Sequence, residues 1–186
     1  MLSRKGLNMS DEFKISLAQL NATVGDLSGN TQKVMEAWEI ARDQRSDLIA
    51  FPELFITGYN PQDLILKTAF QKAATSSIDQ IAKDCAQGPA IAIGGPFYDE
   101  NKLYNSYYIL ADGKIQAVIK KHHLPNEEVF DEVRLFSSGN VDGPFQIGKM
   151  RIGSPICEDA WHTDIVETLA ETGCLLYTSP SPRDIS

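Results

Sequence analysis

The sequence predicts a layered α/β domain whose sheet is partly antiparallel. Three observations predict it. Short apolar runs alternate with amphipathic helical patterns in the first half, in the order β-α-β-α. Three strand-like runs follow, with a tight turn between the last two. A further strand pair and a helical pattern come after them.

Each element has its own reason. Residues 13–20 read as a strand, since Ile15, Leu17 and Leu20 are apolar and the run is short. Residues 21–30 read as a loop with turn signals at Gly25-Asp26 and Ser28-Gly29. Val34, Ala37, Trp38 and Ala41 recur at helical spacing, which predicts an amphipathic helix over 31–44. Asp47-Leu48-Ile49-Ala50-Phe51 is a buried-type strand leading to Glu53. Phe70, Ala74, Ile78, Ile81 and Cys85 line one face of a second long helix. Residues 90–98, 103–111 and 115–120 are three strands, and Asp112-Gly113 makes the last two a hairpin. A charge-rich loop over 125–139 precedes a strand pair within 145–155. A helical pattern starts near Trp161, is marked by Ile165, Val166, Leu169 and Ala170, and is capped by Gly173.

Bulk properties exclude several classes. A chain of 186 residues is long enough for one domain with a real core. The net charge of -8 argues against a nucleic-acid or anionic-membrane partner. No apolar run is long enough to span a bilayer, and no signal-peptide core is seen near the start. Residues 1–12 read as an N-terminal extension, with Met9 a candidate start. The three cysteines, Cys85, Cys157 and Cys174, are widely spaced, which fits a reducing cytoplasm better than a disulfide framework.

The last stretch breaks the pattern. Cys174-Leu175-Leu176-Tyr177 starts like a strand, then runs into Thr178-Ser179-Pro180-Ser181-Pro182. Two prolines so close cannot sit in a central strand. Residues 174–186 resemble translated adapter sequence, so the expectation is a non-native tail on a domain cut short after Gly173. A genuine disordered terminus is the alternative.

Three segments carry chemistry. Cys157 follows an apolar stretch and precedes a helical pattern, an elbow that presents sulfur at the end of a sheet. Phe51-Pro52-Glu53-Leu54 ends a strand with a carboxylate, and Lys120-Lys121-His122-His123 ends another with cations. A thiol has a free pKa near ~8.5 and needs a base to become a good nucleophile. A carboxylate supplies that base, and a lysine favours the thiolate and stabilises an oxyanion. Each residue also has an ordinary reading: core filler for Cys157, a helix N-terminal acid for Glu53, a solvated strand end for Lys121. A Cys157–His162 dyad stays open as well. His122, His123 and His162 with Cys157 match no ligand spacing, so no metal is expected.

Read jointly, the segments resemble the nitrilase superfamily of carbon–nitrogen hydrolases. The residues that carry the resemblance are Leu17-Ala18-Gln19-Leu20-Asn21, Phe51-Pro52-Glu53-Leu54, Lys121-His122-His123-Leu124-Pro125 and Ile156-Cys157-Glu158-Asp159. It implies an α-β-β-α sandwich, incomplete at the C-terminus, with a catalytic triad of Glu53, Lys121 and Cys157. Within the superfamily, Thr57-Gly58-Tyr59-Asn60-Pro61-Gln62-Asp63-Leu64, Val129-Phe130-Asp131-Glu132 and Cys157-Glu158-Asp159-Ala160-Trp161 look like the glutaminase domain of glutamine-dependent NAD⁺ synthetases. The likeness covers residues 15–173.

That resemblance implies a domain over 13–173 that frees ammonia from glutamine through a thioester, without a cofactor of its own. The ammonia would pass to a C-terminal synthetase domain, absent here, that uses ATP and Mg²⁺ to make NAD⁺ from nicotinic acid adenine dinucleotide. It further implies a cytoplasmic enzyme that forms a homo-oligomer when complete. By position, Tyr59, Phe130 and Glu158 match residues lining the glutamine pocket. Glu127-Glu128 stands where that branch usually has Tyr-Gly, which puts Glu127 at the pocket. Two other readings are a stand-alone amidase or N-carbamoyl amidohydrolase, and an inactive truncated fragment. Loss of strands beside the catalytic one predicts poor solubility and impaired turnover for this chain.

Overall fold

The structure, a computed structural model, describes residues 12–127, 130–174, 176 and 177. The extension up to residue 11, Glu128 and residues 178–186 lie outside the described residues, as does most of the expected tail.

A five-stranded sheet is built from β1 (Ile15–Leu17), β2 (Leu48–Ala50), β3 (Ala90–Asp99), β4 (Lys102–Ala111) and β5 (Lys114–Lys120), in that order. The first three strands are parallel and β3 to β5 antiparallel, so the mixed sheet expected from the sequence is present. Helices α1 (Leu27–Asp43) and α2 (Thr68–Asp84) are the crossovers that parallel pairing demands.

Side-chain alternation divides this sheet into two faces. Ile49, Ile91, Ile93, Tyr108 and Leu110 pack with Val34, Trp38, Ile78 and Ile81 of the two helices. Leu48, Ala50, Ala92, Tyr107 and Ile109 face the other way, against Phe145 and Ile152. Those two residues belong to a second sheet of β6 (Phe145–Ile147), β7 (Met150–Gly153) and β8 (Leu176–Tyr177). Gly153 points away from the sandwich interior, and a Cβ there would meet Leu169 at 3.0 Å. Leu169 belongs to α4 (Thr163–Glu171), so the layers run helix, sheet, sheet, helix. Gly173 ends α4 with a left-handed φ of 76°. The Cys174 and Gly173 N–H groups donate to Leu169 and Ala170, the paired bonds of a Schellman cap.

Several boundaries differ from the sequence reading for identifiable reasons. Of residues 13–20, only Ile15–Leu17 pairs, matching the three residues of β2. Helix α1 starts at Leu27 rather than 31, because the Asp26 side chain caps it by accepting from Gly29 N at 2.9 Å. Ser28-Gly29 therefore lies inside the first turn instead of a loop. Trp161 closes a 3-10 turn (Cys157–Trp161), and α4 begins two residues later. The loop over 125–139 holds one helical turn, α3 (Glu132–Leu135). Leu135 and Phe136 pack with Leu54, Ile65 and Leu103 in a third apolar cluster beneath the site loops.

Candidate active site

Glu53 is aimed inward by its surroundings. Beyond β2 the chain turns over β3, where Gly94 leaves room for it. A Cβ on Gly94 would stand 2.1 Å from the Leu54 nitrogen and 2.6 Å from the Glu53 carbonyl carbon. The Tyr107 hydroxyl donates to the Phe51 carbonyl at 2.7 Å and fixes the same segment from β4. Glu53 ends 1% exposed.

Lys121 meets it there. The Lys121 backbone extends β5 by one residue, with its N–H donating to Asn105 O at 2.9 Å. Its side chain is fully buried, and Nζ lies 2.6 Å from Glu53 Oε1 and 3.0 Å from Glu132. The Asn105 amide also donates to both carboxylates, at 2.7 Å to Glu53 and 3.3 Å to Glu132. Glu53 Oε2 has no hydrogen-bond partner among the described residues. Two buried carboxylates therefore share one ammonium, and the set has a net negative charge if both ionise. Burial pushes the Glu53 pKa up to about 7; Lys121 opposes this and the Glu132 charge adds to it. Burial disfavours the charged form of Lys121, but the two carboxylates outweigh it and raise its pKa.

Cys157 sits at the predicted elbow, at the start of the 3-10 turn, with a left-handed φ of 47°. Such a φ is uncommon for a residue with a Cβ and marks a held conformation. Asp159 does the holding. Its buried carboxylate accepts from Ile156 N at 3.2 Å, His122 N at 3.1 Å and His123 N at 2.7 Å. One side chain thus ties the residue before Cys157 to the two residues after Lys121. Burial raises the Asp159 pKa against the pull of these backbone donors and of Lys121.

Tyr59 joins the parts. Its hydroxyl donates to Glu132 Oε1 at 3.4 Å, and its ring lies 6.4 Å from that of Phe130. Burial raises its pKa, and the charges of Glu53, Glu132 and Cys157 raise it further. The charges of both acids and of the thiol therefore bear on one phenol, which touches Glu132 directly.

A cavity of about 620 Å³ is lined by Phe130, Glu127, Glu158, His123 and His162 among others; its described lining includes the neighbour of Cys157 but not Glu53, Tyr59, Lys121 or Cys157 themselves. Glu158 is half-exposed and lies 3.3 Å from His162 Nε2. The size suits a small ligand, with apolar and carboxylate walls. A second cleft of about 420 Å³ between β1 and α1 shares no residue with it. His162 pairs with Glu158 and stacks on His123 with centroids 3.7 Å apart. Among the described residues no helix is long and apolar enough to cross a membrane.

Sequence reasoning had not given roles to Glu132, Asn105 or Asp159. Glu132 sits in a charge-rich loop and Asn105 in mid-strand, where neither pattern nor spacing marks a buried partner. A polar residue inside the apolar run Leu103–Ala111 was the one available signal for Asn105.

A family model described as carbon-nitrogen hydrolase matches residues 14–184. The glutamine-dependent NAD(+) synthetase of Rhodobacter capsulatus is 47% identical over 173 residues, which cover 93% of this chain and 31% of that protein. The protein of the same name from Aquifex aeolicus is 40% identical over 178 residues, 94% of this chain and 31% of its own length. This chain thus spans about a third of the length of the curated relatives it matches. Among solved structures, glutamine-dependent NAD+ synthetase from Acinetobacter baumannii in complex with ADP superposes with a TM-score of 0.88 at 32% identity, over 94% of this chain and 33% of that one. The amidase from Nesterenkonia sp. AN1 shares the fold, with a TM-score of 0.80 at 23% identity over 91% of this chain and 67% of its own.

Proposed function

Because this chain belongs to the carbon–nitrogen hydrolase family, we propose that Glu53, Lys121 and Cys157 hydrolyse the side-chain amide of glutamine through a thioester. The observation that carries the reading is the buried Lys121–Glu53 contact of 2.6 Å, which Asp159 ties to the Cys157 elbow, with Glu53 Oε2 lacking a hydrogen-bond partner among the described residues. A carboxylate with a pKa near 7 exchanges protons readily at neutral pH.

The Cys157 sulfur attacks the amide carbon as its proton passes to Glu53 Oε2. The Lys121 ammonium and the Glu158 backbone N–H stabilise the oxyanion that forms. Collapse of the tetrahedral intermediate breaks the C–N bond, and Glu53 returns the proton to the departing ammonia. Glu53 then takes a proton from water as the water attacks the thioester. Glutamate leaves, and the thiol is restored. Glu158 pairs with the substrate α-ammonium, while Tyr59 and Phe130 wall its side chain. Glu127 adds a second negative charge at the cavity edge.

Glutamine as substrate rests on the names of the relatives together with this carboxylate-lined cavity. In the same reading residues 13–173 are the glutaminase domain. The ammonia serves a synthetase domain using ATP and Mg²⁺, within a cytoplasmic homo-oligomer.

A chloroketone analogue of glutamine tests the reading on the 186-residue chain even where turnover is low. It should add a single adduct at Cys157, slowed by free glutamine, and the trace of ammonia released from glutamine should vanish in Cys157→Ala. Labelling of Cys85 or Cys174 instead, or labelling that glutamine does not slow, would remove glutamine as the substrate.

A further inference from the structure

His122 and His123 follow the buried Lys121 directly and meet Asp164 from the first turn of α4. One ligand-capable atom from each of the three lies within 4.8 Å of the others. His123 Nε2 stands 3.1 and 3.0 Å from the two Asp164 oxygens, a spacing open to two ligands about 2.0–2.1 Å from a shared ion.

The set is also prepared electronically and mechanically. His122 Nδ1 lies 2.7 Å from the Gly139 carbonyl oxygen, which can only accept. That contact puts the proton on Nδ1 and the lone pair on Nε2, the way outer partners fix metal-binding imidazoles. The backbone N–H groups of His122 and His123 are both held by Asp159. The ring of His162 lies nearly parallel to that of His123, at 18°, and supports it from one face without competing for an ion in the ring plane.

We propose that His122, His123 and Asp164 bind one divalent transition-metal ion of the zinc class at the wall of the cavity. Two imidazoles and one carboxylate select such ions over Mg²⁺ or Ca²⁺, which prefer all-oxygen sites. Three protein ligands leave a coordination position open to water. Spacing along the chain gave no hint of this, because Asp164 arrives 41 residues after His123.

The consequence for substrate rests on the glutamine reading above. His123, Glu127 and Glu158 line one cavity. An ion on His123 adds positive charge to that wall and opposes the substrate ammonium. It should therefore raise KM for glutamine more than it lowers kcat.

Co²⁺ titration of the whole chain tests the site without any turnover. Visible d–d absorption should saturate at one ion per chain and be displaced by Zn²⁺. His123→Ala and Asp164→Asn should each weaken Co²⁺ binding on the order of 10–100-fold, with circular dichroism unchanged. Cys157→Ala should bind as the parent does. Absence of saturable binding overturns the proposal. So does binding that survives both rim variants, or a sulfur-to-metal charge-transfer band lost in Cys157→Ala. If chloroketone labelling of Cys157, or its slowing by glutamine, fails while Co²⁺ binds as described, the metal site stands and the substrate reading alone falls.

Discussion

Lys121 and His123 stand two residues apart, yet they occupy opposite electrostatic settings. Lys121 is fully buried between Glu53 and Glu132, and its side chain meets no water. The His123 side chain is 26% exposed beside Asp164, itself 58% exposed. In the interior each charge sets the protonation of its neighbours, because little else screens it. At the rim, water screens the same kinds of group, so pairs there add little to stability. The reaction chemistry is assigned to the first setting and ligand recognition to the second, joined by two peptide units.

The largest effect should come from removing the interior cation. Lys121→Met leaves two carboxylates facing each other in the core and should cost about 3–5 kcal/mol of folding stability by chemical denaturation. A loss below about 1 kcal/mol would mean that the interior behaves like the rim. A smaller but sharper effect is expected from Glu132→Gln. The Glu132 charge pushes the Glu53 pKa up, so its removal should lower that pKa. Glu53 must be unprotonated to accept the thiol proton, so Cys157 labelling should decline as pH falls below about 7 in the parent. In the variant this decline should move to lower pH, and an unmoved limb would show that the acids are not coupled. The same shift has a stability sign. A folded pKa of about 7 against an ordinary 4.5 gives stability that is present below 4.5 and lost as pH rises through 7. The smallest effect belongs to the rim: His162→Ala should change stability by less than about 1 kcal/mol and leave the acid limb in place. Movement of the limb in that variant would erase the distinction.

Much of this architecture was legible because periodicity is a strong signal when elements are long. Helix α2 and the hairpin at Asp112-Gly113 appear where the pattern put them, with φ of 53° and 77° at the turn. The turn between β3 and β4 was less visible. Glu100 and Asn101 both adopt positive φ there, without the glycine that usually announces such a turn. In the site, Glu53, Lys121 and Cys157 stood out because each ends a strand-like run. Glu132 did not, because its burial depends on a single turn of helix packed over Leu54 and Leu103. Asp159 was visible as a neighbour of Cys157, but its three backbone partners come from two loops that sequence cannot juxtapose.

Gly94 carries a lesson about how such a protein can diverge. The backbone of the Glu53 segment rests against it so closely that any side chain there would displace Glu53. At Gly94 that strand therefore offers no route for adjusting the carboxylate, and selection for a new substrate finds nothing to vary at that position. Residues 122–127, Phe130 and residues 158–162 are loops and turns around an open cavity, where a changed side chain meets solvent before it meets the buried carboxylates. New specificities would be written there, while the strand beneath stays silent.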